Sequence, residues 1–366
     1  MRFLSIVLMF LCYAVFAADV SFEGTLEADY GNYLEKDFIV NNAANQDLRL
    51  KMNIDMDENV RVVVGAASKS IYTSGGSTDF SRIRHREEAT PTSSDRWSPF
   101  VFDGISLEWT VSRGLTFMFG DLSYSFGSFN YYFWRNPDYY AAVLTTQGMR
   151  GLGARFGNEG YVYIGASDAN DKSGRIAASY ALPIPGLDQV NNKLTVAPML
   201  DLIKGGGRSH RYTFGIDANY SRSYTDLNYV IRGIYGVHPS HGNYVNTFAV
   251  EPSFNYKNFS LAGMGYWALL ADSTESEIPI TSKDTYSTDD EKLVYVEPSY
   301  SFNKKFSMGL GFEWHKPDGN LDDWFLIAPT GYLYPTAGVD LSFWISYAIT
   351  EGHNNPGFGI SSSVKF

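Results

Sequence analysis

Four things are scarce in this sequence, and each scarcity narrows what the chain can be. Its one cysteine, Cys12, sits in an apolar N-terminal stretch. A disulfide framework of the kind that staples small secreted domains is therefore excluded. Outside that stretch no run is long and apolar enough for a membrane-spanning helix, which needs about 20 such residues. Positive charge is in the minority, with 29 Lys and Arg against 40 Asp and Glu and a net charge of −11. That balance argues against a nucleic-acid partner and against a polybasic membrane anchor. Linkers are absent too: no Pro/Gly/Ser-rich stretch or low-complexity segment divides the 366 residues, which points to a single domain.

What is present begins with an export signal. Arg2 supplies a positive start, Phe3 to Phe16 an apolar stretch of signal-peptide length, and Val15-Phe16-Ala17 a cleavage site. Residues 1–17 are expected to be removed and 18–366 to form the mature domain, of 366 − 17 = 349 residues. Without Arg2 the mature charge is 28 − 40 = −12. Leu11 before Cys12 is too large for a lipobox, so Cys12 reads as filler of the apolar stretch.

The composition is loudest in aromatics, with 26 Tyr, 25 Phe and 7 Trp beside 34 Gly. They fall in a period of two. Leu48 to Met56, Tyr212 to Tyr220, Phe306 to His315 and Val339 to Tyr347 each alternate apolar with polar residues, the pattern of strands with one apolar face. Short polar connections are expected at 57–59, 112–114, 157–160, 221–223, 257–258, 303–305 and 333–336. They alternate with longer ones at 34–46, 73–98, 123–149, 168–174, 203–209, 238–243, 271–291, 316–322 and 351–356. One connection, 183–192, is too long for its class. Short turns at one end and long loops at the other predict a closed antiparallel transmembrane β-barrel of about 18 strands, with 16 as the next choice. In lipid every backbone N–H and C=O needs an internal partner, and only a closed sheet supplies one. A soluble sandwich is the competing use of the same aromatics. Pro198, Pro252, Pro298 and Pro329 fall inside predicted strands, and bulges are expected to absorb them.

The last ten residues run from Gly357 to Phe366, with Phe358, Ile360, Val364 and Phe366 on alternate positions. This segment resembles the closing strand of bacterial outer-membrane proteins, from which Ser362 departs. In that family the closing strand is read by the barrel-assembly machinery, so the resemblance implies that partner here. Over its whole mature length the chain resembles the porins. The resemblance implies an outer-membrane location, contact with lipid, passive passage of small hydrophilic solutes and no cofactor. Porins are commonly homotrimers, which the resemblance carries over as an expectation.

A barrel of 16 to 18 strands encloses water, so function should lie on its inner face. Alternation assigns Arg49, Lys51, Arg61, Lys69, Arg155, Arg175, Arg211 and Arg232 inward as basic residues. The acidic inward set is Glu23, Glu27, Asp55, Glu108, Asp217, Glu251, Glu297, Glu313 and Asp340. Their order along the chain predicts a largely basic wall facing an acidic one, hence a transverse field. The loop 123–149 carries Tyr131, Tyr132, Trp134 and Tyr139 with Arg135 and Asp138, and Asp121 precedes it. In porins the loop after the fifth strand folds into the barrel, so the resemblance implies that these seven residues form the pore constriction. A loop packed on the inner wall or on a neighbouring subunit remains the alternative. No nucleophile elbow or zinc-ligand helix is present, and no enzyme is expected. A saccharide-selective channel and a non-conducting barrel serving adhesion are the competing functions.

Overall fold

The computed structural model describes residues 19–34, 40–74, 101–125, 146–157, 160–168, 173–189, 191–205, 208–240, 243–270, 291–316, 323–350 and 353–366. No helix occurs among them. The strands are β1 (Asp19–Leu34), β2 (Val40–Asp55), β3 (Val60–Ser74), β4 (Val101–Ser112), β5 (Leu115–Ser125), β6 (Thr146–Phe156) and β7 (Gly160–Asp168). There follow β8 (Ser173–Ser179), β9 (Leu182–Gln189), β10 (Asn192–Gly205), β11 (Arg208–Ser223), β12 (Leu227–Ser240) and β13 (Asn243–Tyr256). The last are β14 (Phe259–Leu270), β15 (Glu291–Asn303), β16 (Phe306–Lys316), β17 (Trp324–Thr336), β18 (Val339–Thr350) and β19 (His353–Lys365).

Each strand pairs antiparallel with its neighbours in chain order, and β19 returns to β1 from Thr25↔Lys365 to Tyr33↔Gly357. The sheet is closed and has no edge. Phe366 completes the seam: Gly24 N–H donates to its carbonyl at 2.8 Å, and its own N–H donates to the Gly24 carbonyl at 3.1 Å. The ring of Phe366 fills the space a Cβ on Gly24 would need.

The 19 segments make 18 barrel strands, because β8 and β9 share one place beside β10. Met199 pairs with Ser179 and Val196 with Leu182 in one unbroken register. Between them Pro198 stands opposite Tyr180. Proline has no N–H to give the ladder, and the strand is interrupted there. Beyond Thr195↔Pro183 the register jumps to Lys193↔Asp188, so Ile184 to Leu187 face the single residue Leu194. Gly186 takes φ 84° in this excursion. The overlong connection is thus a strand with a three-residue surplus.

The other prolines do not produce the expected bulges. Val250↔Gly265 and Ser253↔Ala262 flank Pro252 without a shift of register. The same holds for Val296↔Phe312 and Ser299↔Gly309 around Pro298, and for Ile327↔Tyr347 and Thr330↔Trp344 around Pro329. Each proline omits its pairing with the following strand and keeps it with the preceding one, as in Ile231↔Pro252 and Leu261↔Pro298. Two short turns also lie further on than expected. Residues 221–223 remain in β11, and the turn is Tyr224 to Asp226. Residues 333–336 remain in β17, and the turn is Ala337-Gly338.

The two faces differ as the alternation predicts. One carries exposed Phe22, Leu107, Ile164, Phe214, Ile231, Phe248, Phe312, Phe343 and Ile345. Pro198, Pro252, Pro298 and Pro329 lie on this face too. Such an apolar band suits lipid. The opposite face carries the charged, hydroxyl and small side chains, among them Thr247, Glu251, Glu313, Thr330, Ser342 and Ser346, all buried.

Candidate functional site: the inner face of the barrel

The inner face is organised by ion pairs between neighbouring strands. Near the short-turn end, Lys51 on β2 meets Glu23 on β1 at 3.8 Å, and Asn53 donates to the same carboxylate at 3.0 Å. Arg61 on β3 donates to Asp55 on β2 at 2.6 Å. Arg155 on β6 reaches Glu108 on β4 at 3.2 Å and donates to the Tyr163 hydroxyl at 3.3 Å. These pairs are solvated and contribute little individually to stability, roughly 0–1 kcal/mol each.

Arg175 is different. It sits on β8 with its side chain 8% exposed, and Asp201 on β10 is 5% exposed. The guanidinium donates through Nε to Oδ1 at 2.8 Å and through a terminal nitrogen to Oδ2, a two-pronged arrangement suited to a desolvated site. Its third arm reaches the Gly148 carbonyl at 3.4 Å, and it lies over the Tyr124 ring at 5.2 Å. Tyr161 and Tyr163 stack beside Tyr124 with centroids 4.8 Å apart, on a floor of Met118, Leu122, Met149 and Met199. Glycines make room for this cluster: a Cβ on Gly153 would fall 2.3 Å from the Tyr163 ring.

Further round, Arg232 on β12 stands directly opposite Glu251 on β13. From β15 to β18 the character changes. Glu297 accepts from the hydroxyls of Tyr295 and Tyr332 and occupies the space left by Gly309. Glu313 is buried, and Asp340 shares the face with Ser342. Glu291 accepts from, or donates to, His315 Nε2 at 2.8 Å, with both side chains buried. Among the described residues, no Lys or Arg stands on the inner face of these four strands.

The expected opposition of a basic and an acidic wall is therefore altered. Of the described basic residues, Lys51, Arg61, Arg155, Arg175 and Arg232 each face a carboxylate on a nearby strand. Glu297, Glu313 and Asp340 have no Lys or Arg on the inner face of their own strands. Glu27 lies opposite Asp47 and Ser363 on the same face, and Arg49 opposite Thr25 and Ala67. Arg211 opposes Ile203 in β10, and its side chain, like that of Lys69, lies outside the described residues.

Asp121 departs from expectation. In β5 it alternates with Leu122 and Tyr124, which point inward, so it lies on the outer face with Phe119 and not at the lumen. Its Oδ1 accepts from Arg150 Nε at 2.7 Å, and its Oδ2 from the Ile105 N–H at 2.9 Å. Gly104 and Gly120, at φ 117° and 109°, permit this irregularity, since a Cβ on Gly120 would sit 2.1 Å from the Ile105 carbonyl oxygen. Tyr131, Tyr132, Trp134, Arg135, Asp138 and Tyr139 lie outside the described residues.

Sequence reading missed Asp201, Glu291, His315 and the three tyrosines. Asp201 carried a usable signal: it is a lone charge in Met199-Leu200-Asp201-Leu202-Ile203, and an ionisable residue in a membrane-spanning segment points inward toward a partner.

No family model matches the chain, and no curated protein sequence does. Solved structures do. A BenF-like porin from Pseudomonas fluorescens aligns at TM-score 0.60 over 95% of this chain and 98% of that one, with 12% identity. OpdK of Pseudomonas aeruginosa, in a structure with vanillate, aligns at 0.56 over the same shares with 10% identity. OccAB4 of Acinetobacter baumannii also aligns at 0.56, with 10% identity. The fold is that of the outer-membrane porins. At these identities the likeness lies in the barrel and not in particular lumen side chains, so the inner face described above is this porin-like chain's own.

Proposed function

We propose that the chain is an outer-membrane channel that passes small hydrophilic solutes down their gradient, with a preference for cations. The observation that carries this reading is the division of the wall: an apolar outside that suits lipid, and a charged inside whose acidic sector from β15 to β18 has no Lys or Arg among the described residues. A ring or wall of carboxylates favours cations in a pore. The loop 123–149, with Tyr131, Tyr132, Trp134, Arg135, Asp138 and Tyr139, stays in the proposal as the constriction, and Asp121 leaves it. Export through a cleaved signal peptide and a homotrimeric state complete the reading, as does assembly directed by Phe358, Ile360, Val364 and Phe366. The protein is assigned no catalytic role and no cofactor.

Conductance of the refolded protein in a planar lipid bilayer tests the channel. Stepwise currents whose reversal potential favours cations are expected, and deletion within 126–140 should raise the step size. Silent insertion of a correctly folded, heat-modifiable barrel would overturn the channel and favour adhesion or surface structure. The aromatics of loop 123–149, Tyr131, Tyr132, Trp134 and Tyr139, support a second, narrower reading, a channel with affinity for ring-shaped solutes such as saccharides. Concentration-dependent blocking by maltose would establish it. Vanillate, present in the OpdK structure, belongs in the same series.

A further inference from the structure

The outer face of β15 and β16 ends in two opposed lysines. Along β16 this face reads Phe306, Met308, Leu310, Phe312, Trp314, Lys316, and along β15 from the other direction Tyr300, Pro298, Val296, Val294, Lys292. Phe306 to Trp314 is eight residue steps, which on a tilted strand rise about 20 Å, close to the height of a barrel's apolar band. Lys316 is the next outward position and so stands just above that band, at the long-loop end. Lys292 is its cross-strand partner, with Trp267 of β14 on the other side of Lys292.

Like charges directly opposite one another in a sheet repel, and the described carboxylate next in register to Lys316, Asp323, is taken up by Trp314. Neither forms an ion pair with a described residue. Glu291 turns inward to His315. Asp323, on the outer face ahead of β17, accepts the indole N–H of Trp314 at 3.0 Å. A pair of cations beside Trp267 and above Trp314, at the level where lipid headgroups lie, matches the requirements of an anionic headgroup: phosphate to the ammonium groups, acyl chains along the apolar strand face below.

We propose that Lys292 and Lys316 bind the phosphate of an anionic outer-leaflet lipid, with Trp267 and Trp314 against its headgroup and Val294, Phe312 and Phe325 along its chains. The inference rests on the membrane placement proposed above and is independent of whether the barrel conducts.

The test is native mass spectrometry of the full refolded protein in non-ionic detergent, titrated with diphosphoryl lipid A, dephosphorylated lipid A or inorganic phosphate. Diphosphoryl lipid A should bind at least tenfold more tightly than the dephosphorylated form. K292Q/K316Q should lose roughly ten- to thirtyfold of that affinity, while K304Q, at the turn end, should lose none. Equal binding by K292Q/K316Q would overturn the proposal, as would equal binding of dephosphorylated lipid A. Full competition by inorganic phosphate would also overturn it, by showing a free-anion site. Heat-modifiable migration of each variant checks folding, and removing the opposed charges should leave or raise thermal stability in lipid-free detergent. Bilayer currents of K292Q/K316Q should equal wild type. A silent wild type that still binds lipid A would sink the channel reading alone.

Discussion

At the scale of single residues, two glycines pose the same steric problem with different exits. A Cβ on Gly359 would lie 2.1 Å from the indole of Trp344, and one on Gly331 2.1 Å from the ring of Phe343. Trp344 is 5% exposed on the inner face, whereas Phe343 is 44% exposed toward lipid. Phe343 can swing outward; Trp344 has nowhere to go. Gly359→Ala should therefore cost about 1–3 kcal/mol of the kind that overpacking costs, and Gly331→Ala clearly less, as read by urea unfolding in lipid vesicles. The Arg175–Asp201 pair supplies a second residue-scale prediction. Arg175→Met strands a buried carboxylate and should cost about 3–5 kcal/mol in the same assay. Replacing both, as Arg175→Met with Asp201→Leu, should recover much of the loss, because the cost arises from the unpaired charge.

At the scale of strands, backbone chemistry explains where alternation was a good guide and where it was not. Period two marks faces well because side-chain direction is local. It identified the outward Phe and Leu residues and a barrel of about 18 strands. The porin resemblance, and not alternation, put Asp121 at the constriction; by register it is an outer-face residue, next to two glycines in unusual conformations. The Arg175–Asp201 pairing was also out of reach, since it joins β8 to β10 across residues 180–191, and cross-strand partners follow from register and not from spacing. The prolines illustrate the opposite error. A bulge was expected, yet omitting one pairing leaves the register unshifted at Pro252, Pro298 and Pro329. The β8–β9 excursion yields a sharper test. Excising Ile184, Pro185 and Gly186 brings 183 and the turn into one register with β10, so the deletion protein should fold to the same heat-modifiable barrel. Its midpoint should move by less than about 1 kcal/mol, since loop length is weakly coupled to stability. Failure to refold would show the excursion to be required.

At the scale of the whole molecule, charge is distributed by sector and not evenly. The arc from β1 to β13 mixes both signs, and that from β15 to β18 is acidic. Glu297→Gln with Glu313→Gln should lower the cation preference measured as a reversal potential across a KCl gradient, while step size stays near wild type, because Gln matches Glu in volume. Unchanged selectivity would locate the filter elsewhere. The seam has its own consequence. Gly24 and Phe366 exchange both of their backbone hydrogen bonds, so the first and last strands meet as intimately as any hairpin within the wall. The ring of strands then has no privileged starting point. If residues 19 and 366 were joined by a short linker and the chain opened at 271–290, β15 would lead and β14 would close, with every pairing kept. The order in which strands leave the ribosome would change, and the cylinder would not.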